Sequence, residues 1–268
     1  MNYHSDTEIF SRLHEHYDES KTLFPKDRIV GIFLQGSQNY GLDTAESDLD
    51  TKLIVTPTFE NIALNQKPVS TTHIRENNEH IDLKDIRLYI DTFRKQNLNF
   101  LEILFTEYFY FNSMYGKPWS KLLKHREEIA HYNFDRSLKS MCGIAAEKRH
   151  ALQNPYPTKL DILEKFGYDP KQLHHLLRVK EYLERYIAGE KYKDCLVSNQ
   201  PDYLKAIKSG LLPVDEAVKL ADSTYEALRD LVDRSLTGAP ANPEIEALFK
   251  EVQLEIMRIA MEAELCQK

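Results

Sequence analysis

Several things are scarce in this 268-residue sequence. Its three cysteines, Cys142, Cys195 and Cys266, stand far apart and in no metal-ligand spacing. That removes a disulfide framework or a zinc site and fits a reduced, cytoplasmic setting with buried or indifferent thiols. No apolar run approaches the ~20 residues a membrane span needs. The start, Met1-Asn2-Tyr3-His4-Ser5-Asp6, lacks the basic stretch and apolar core of a signal peptide. The expectation is a soluble protein with no membrane partner. Excess positive charge is also missing. A formal net charge of −7 argues against non-specific coating of nucleic acid, while leaving a local basic groove open. There is no internal repeat, no dinucleotide-binding glycine motif and no Ser-His-Asp arrangement. What remains is ample core material, 42% hydrophobic residues, enough for one large or two modest domains.

The most informative stretch runs from Ile29 to Val55. An apolar run, Ile29-Val30-Gly31-Ile32-Phe33-Leu34, leads into a Gly36-Ser37 turn. A polar segment follows, and then a second apolar run, Leu53-Ile54-Val55, headed by Asp48 and Asp50. On a strand these two carboxylates point the same way. Carboxylates side by side repel unless a cation sits between them, and Mg²⁺ prefers oxygen ligands of this kind. The Gly-Ser turn lets backbone N–H groups approach an anion, with the Ser37 hydroxyl as a further donor. A phosphate cradle therefore faces a metal clamp.

Gly36-Ser37, Tyr40, Gly41-Leu42 and Ser47-Asp48-Leu49-Asp50 together resemble the nucleotidyltransferases of the DNA polymerase beta superfamily, in particular the bacterial and phage subgroup associated with RNA ligases and RNA repair. The resemblance covers about two thirds of the chain and is weak after Pro201. It implies a third carboxylate on a nearby strand, a place that Asp82 offers within His80-Ile81-Asp82-Leu83. The competing expectation is that Asp82 caps a helix beginning near Leu83 or Lys84.

Around these motifs the pattern predicts a helix over 7–23, strands over 28–34 and 48–55, and one helical turn over 38–41 ended by Gly41. Residues 69–75 and 80–83, separated by Glu76-Asn77-Asn78-Glu79, predict a hairpin that places Asp82 on its return strand. A helix over 84–96, another beginning at 101 and a strand-like stretch over 108–111 follow. Asn99 and Glu102 are weaker site candidates, carried by the resemblance. From Trp119 on, helices dominate: 119–132, 134–153, 171–187, one from 214 and a last one over 243–265. Asn154-Pro155-Tyr156-Pro157 is a breaker and a candidate hinge, and 193–197 a candidate short strand. The fold class expected is α+β: a small mixed nucleotidyltransferase sheet with helices over 1–115, then an all-helical half over 116–268.

Asp169 and Pro170 suit the N-cap and first position of the 171–187 helix. On it Lys171, His175 and Arg178 stand at i, i+4 and i+7, one stripe of the surface. Spacing alone is explained by a solvated face. The resemblance assigns the stripe to a triphosphate; His174, next door, leaves the histidine uncertain by one residue, and the i+4 spacing selects His175.

The resemblance then implies a metal-dependent enzyme that moves a nucleoside monophosphate from an NTP, ATP first, to an acceptor hydroxyl. Asp48 and Asp50 would hold two Mg²⁺ (or Mn²⁺) ions, with Asp82 on the acceptor side as ligand or base. Gly36 and Ser37, with Lys171, His175 and Arg178, would hold the nucleotide in a cleft between the sheet and the helical half. The acceptor suggested is an RNA end, tRNA included, with Lys117, Lys121, Lys124, Arg126, Lys148 and Arg149 as a backbone track or simply a solvated helix surface. The rivals are a protein or small-molecule adenylyltransferase, a cyclic-oligonucleotide synthase and a catalytically silent interaction protein.

Overall fold

The computed structural model describes residues 3–154 and 160–266, so most of the expected 154–157 breaker lies outside them. The described chain forms two compact units. The first contains the residues up to Asn39, Asp43–Tyr132 and those from Ala241 on; the second contains Tyr40–Leu42 and Asn133–Pro240.

The first unit is built on a five-stranded sheet of order β3-β4-β2-β1-β5. Its strands are β1 (Ile29–Gln35), β2 (Asp50–Val55), β3 (Ser70–Ile74), β4 (His80–Asp85) and β5 (Phe109–Phe111). β1 pairs antiparallel with β2 and β5, β3 antiparallel with β4, and β2 parallel with β4. The sheet is therefore mixed. Asn78, at φ 65°, takes the left-handed conformation the β3–β4 reversal requires, which asparagine tolerates.

Alternation along the strands sorts side chains between the two faces. One face carries Ile32, Leu53, Val55, Ile81 and Leu83, fully or almost fully buried in one core cluster with Leu13 of helix α1 (Asp6–Leu23). Ile9 of the same helix packs with Leu34 and Leu49. Each such side chain, removed from water, contributes about 1.5–3 kcal/mol. The opposite face carries Asp50, Lys52, His80, Asp82 and Lys84. The fold is thus α+β, with Asp50 and Asp82 on the sheet face away from α1.

Asp85, not Asp82, caps the next helix. Its carboxylate accepts from Arg87 N at 2.9 Å, and α2 runs over Ile86–Arg94. The expected helix at 101 is instead a single turn, Leu98–Leu101, closed by a 3₁₀ turn over Glu102–Leu104. The expected 119–132 helix is two, Gly116–Lys124 (α3) and Arg126–Ala130. The C-terminal helix, Pro243–Cys266, belongs to this first unit. It buries Ile245, Phe249, Val252 and Ile256, and Lys121 of α3 donates to its Glu251 and Glu255, both at 2.6 Å.

The second unit is helical. Its long helices are α4 (Phe134–Ala151), α5 (Pro170–Ile187) and α6 (Val214–Ser235). Residues Tyr192–Leu196, overlapping the strand expected over 193–197, form a helical turn whose buried Tyr192 and Cys195 pack inward. The apolar run there is too short for periodicity to separate the two forms. Among the described residues no helix is long and apolar enough to cross a membrane.

Candidate functional site

β1 ends at Gln35 and Gly36 follows with φ +108°, a conformation L side chains rarely adopt. A Cβ there would meet nothing nearer than Gln38 Oε1 at 3.9 Å, so the glycine is needed for its backbone and leaves open space before it. Ser37–Tyr40 form a 3₁₀ turn, and Gly41 closes it at φ +68°. Two side chains of the turn brace its surroundings. Gln38 Nε2 donates to the Asp48 carbonyl at 2.9 Å, and Asn39 Nδ2 to the Leu34 carbonyl at 3.0 Å.

β2 starts at Asp50, two residues later than the pattern predicts, yet the alternation begins before it. Ser47 and Leu49 are buried, Asp48 exposed and Asp50 half-buried, so the two carboxylates share the outward side. Leu49 is the anchor between them. Its side chain enters the core, and its N–H donates to Glu79 Oε1 at 3.1 Å.

Glu79 is the residue that sequence reasoning missed. It is 2% exposed and also accepts from Arg12, from His16 Nε2 at 2.9 Å, from Arg75 Nη1 at 2.9 Å and from Asn77 Nδ2 at 2.8 Å. Burial alone would raise its carboxyl, but the bonds from His16, Arg12 and Asn77 outweigh burial and hold it well below the usual range. The signal in the sequence was a Glu at a hairpin tip. Two of its partners, Arg12 and His16, lie on α1, out of reach of any local pattern.

The parallel β2–β4 register sets Lys52 opposite Asp82 and brings His80 to Asp50. His80 N and Nδ1 each lie 3.1 Å from Asp50 Oδ1. Asp82, two residues further along β4, stands about 6.6 Å beyond His80 on the same face. Lys52 Nζ reaches Asp82 Oδ2 at 2.6 Å and lies 4.1 Å from the centre of the Phe100 ring. Burial pushes the Lys52 amine below the ordinary lysine range, and Asp82 beside it pulls back toward the charged form. Tyr89 stacks edge-on against Phe100; its hydroxyl is buried without a hydrogen-bond partner among the described residues. Burial, and then the charge of Asp82, pushes the Tyr89 phenol well above its usual value.

Asp50 and Asp82 thus sit on one face of adjacent strands, with Asp48 on the outward side just before. Among the described residues no three His, Cys, Asp or Glu side chains gather closely enough to hold a metal by themselves. The Asp48/Asp50 pair alone still fits Mg²⁺, an ion bound through one or two carboxylates with water and substrate phosphate completing its shell. Glu102, the weaker candidate, is buried at 1% exposure.

Within the second unit, the Asp169 carboxylate caps α5 by accepting from Lys171 N at 2.9 Å, with Pro170 at the first position. His174 is 4% exposed, its Nδ1 is 2.8 Å from the Leu204 carbonyl, and burial pushes it down to about 4. It is a packing residue. Burial, with His174, Arg178 and Lys171 nearby, also pushes His175 well below the ordinary imidazole value. His175 therefore offers a neutral hydrogen-bonding ring rather than a positive charge. Lys171 is exposed, and the Arg178 guanidinium lies 3.4 Å from the centre of the Tyr40 ring.

Of the basic residues considered as a backbone track, Lys121, Lys148 and Arg149 are in ion pairs, with Glu251 and Glu255, with Glu147 and with Asp222.

No protein-family model matches the chain. No curated protein matches it either. A solved structure of a nucleotidyltransferase-like protein from Exiguobacterium sibiricum 255-15 is similar over 84% of this chain and 76% of its own, at 13% identity and a TM-score of 0.30.

Proposed function

We propose that this chain transfers a nucleoside monophosphate from an NTP to an acceptor hydroxyl, with release of pyrophosphate. The observation that carries the reading is the paired outward carboxylates of Asp48 and Asp50, with Asp82 one strand away on the same sheet face. The Gly36-Ser37 turn at the end of the neighbouring strand β1 adds the phosphate-facing part, since Gln35 pairs directly with Asp50.

In this reaction the acceptor oxygen attacks the α-phosphorus. The bond between that phosphorus and the bridging oxygen to the β-phosphate breaks, and the electron pair leaves with pyrophosphate. Gly36 and Ser37 hold the β- and γ-phosphates through backbone N–H groups and the hydroxyl. Mg²⁺ (or Mn²⁺), when bound by Asp48 and Asp50, neutralises phosphate charge and orients the α-phosphoryl group. Asp82 faces the acceptor side and takes the proton of the attacking hydroxyl. His80 keeps Asp50 oriented, as Glu79 keeps Leu49. Catalysis here is positioning and charge compensation, with no protein nucleophile required.

The acceptor proposed is an RNA end, tRNA included, and the NTP proposed is ATP; both come from the motif resemblance. The test is incubation with each labelled NTP and Mg²⁺ or Mn²⁺, with and without total RNA, beside an Asp48→Ala/Asp50→Ala control. Label on RNA, lost in the control, is the expected result. Label on protein or in a small cyclic product would replace the acceptor, and neither transfer nor NTP binding under any condition would end the enzymatic reading.

A further inference from the structure

We infer that the site takes one divalent ion rather than two, because the Lys52 ammonium, paired with Asp82, takes the place of a second one. This inference rests on the nucleotidyl-transfer reading and refines it. Lys52 is 4% exposed, lies opposite Asp82 in the parallel β2–β4 register and opposite Phe33 in the β1–β2 register. Its ammonium is 2.6 Å from Asp82 Oδ2 and lies against the face of Phe100. An ammonium confined between strands in this way cannot swing out to water as a surface lysine does. Displacing it from Asp82 would strand a buried cation without its partner. One of the two oxygens that a metal would use at Asp82 is therefore already committed.

Charge arithmetic favours the same arrangement. Asp48, Asp50 and Asp82 carry three formal negative charges. A divalent ion at Asp48 and Asp50 and the Lys52 ammonium at Asp82 supply three positive ones. Lys84, the next lysine on this face, is bonded to Ser70 Oγ at 2.9 Å and stands 5.0 Å from the centre of the same Phe100 ring. Two ammonium groups around that ring leave Asp82 in a cationic surrounding where a second divalent ion would meet repulsion. Asp48 is exposed just before β2, and Asp50 has no lysine or arginine opposite it in the sheet, where it faces Gln35 and His80. The acceptor hydroxyl would then meet an Asp82–Lys52 pair instead of a second metal: the carboxylate takes the proton, and the ammonium offsets the charge on the attacking oxygen.

The test counts Mn²⁺ bound to the full chain by titration with electron paramagnetic resonance, with circular dichroism confirming that each variant is folded. The wild type should bind one ion per chain. Asp82→Asn should keep that ion with its Kd changed by no more than about twofold, whereas Asp50→Asn should weaken it by about tenfold or more. Lys52→Met should acquire a second ion, and Lys52→Met/Asp82→Asn should return to one. Two ions on the wild type, loss of about tenfold in Asp82→Asn, or no second ion on a folded Lys52→Met would overturn the inference while leaving the transferase reading intact. If Lys52→Met does not fold, the Asp82→Asn comparison decides alone. No ion on any form would overturn the inference and the reading beneath it together.

Discussion

Glu79 accepts from two arginines, a histidine, an asparagine and the backbone of Leu49 while almost wholly out of water. Removing one partner from a buried ionic network costs about 3–5 kcal/mol, since the remaining charges stay buried and uncompensated. Glu79→Ala should therefore lower unfolding free energy by about that amount in urea titrations, and Glu79→Gln by less. The pH dependence has a definite sign. With its folded carboxyl held below the ordinary 4.5, Glu79 contributes stability that is complete above that value and is lost as pH falls below it. The Glu79→Gln variant should show a shallower acid limb in pH-dependent unfolding. Tyr89 points the other way. Its hydroxyl is buried and unpartnered among the described residues, so Tyr89→Phe removes a desolvation cost and should raise stability by about 1 kcal/mol in the same assay. At Gly36 the cost is purely conformational, since a Cβ has room but φ +108° does not suit it. Gly36→Ala should cost about 1–3 kcal/mol and weaken NTP binding measured by calorimetry.

At the scale of elements, helix α5 carries two histidines whose burial keeps them neutral. His174 packs under the Pro201–Lys208 helix through the Leu204 carbonyl. Because it is held down at about 4 while an unfolded histidine titrates near 6.5, the unfolded state takes up the proton first as pH falls. Stability is therefore full above about 6.5 and declines toward about 4. His174→Gln, which can still donate to the carbonyl, should flatten that decline in thermal melts run between those pH values. The same helix was easy to read from its ends, because Asp169 and Pro170 act locally. The β3–β4 hairpin was legible for the same reason: Asn78 sits at the reversal and alternation flanks it. Tyr192–Leu196 was not, because five residues cannot show whether their period is two or nearly four.

At the scale of the whole molecule, the C-terminal helix belongs with the sheet-bearing unit, although about a hundred helical residues precede it. The pattern predicted one helical half from 116 onward. Compactness instead groups α3 and the C-terminal helix with the sheet, through the Lys121 ion pairs, Arg94 to Glu246 at 3.0 Å and the Phe93–Phe249 stack. The buried Ile245, Phe249, Val252 and Ile256 represent on the order of 6–12 kcal/mol of burial, comparable to the net stability of a typical domain. A chain truncated after Pro240 should therefore lose the cooperative unfolding of the sheet unit, observable as loss of dispersed amide signals in NMR spectra.

The sequence by itself determined the local features: the Gly36 turn, the outward alternation of Asp48 and Asp50, the hairpin bearing Asp82 and the capped start of α5. Each depends on backbone preferences within a few residues, and these are written in residue type and spacing. Tertiary structure alone decided that Lys52 meets Asp82, that Glu79 anchors Leu49 with help from α1 and that the last helix returns to the sheet unit. Those pairings join residues from 30 to about 150 positions apart. Their partners are selected by strand register and by burial of the whole core, quantities that no short window of sequence contains.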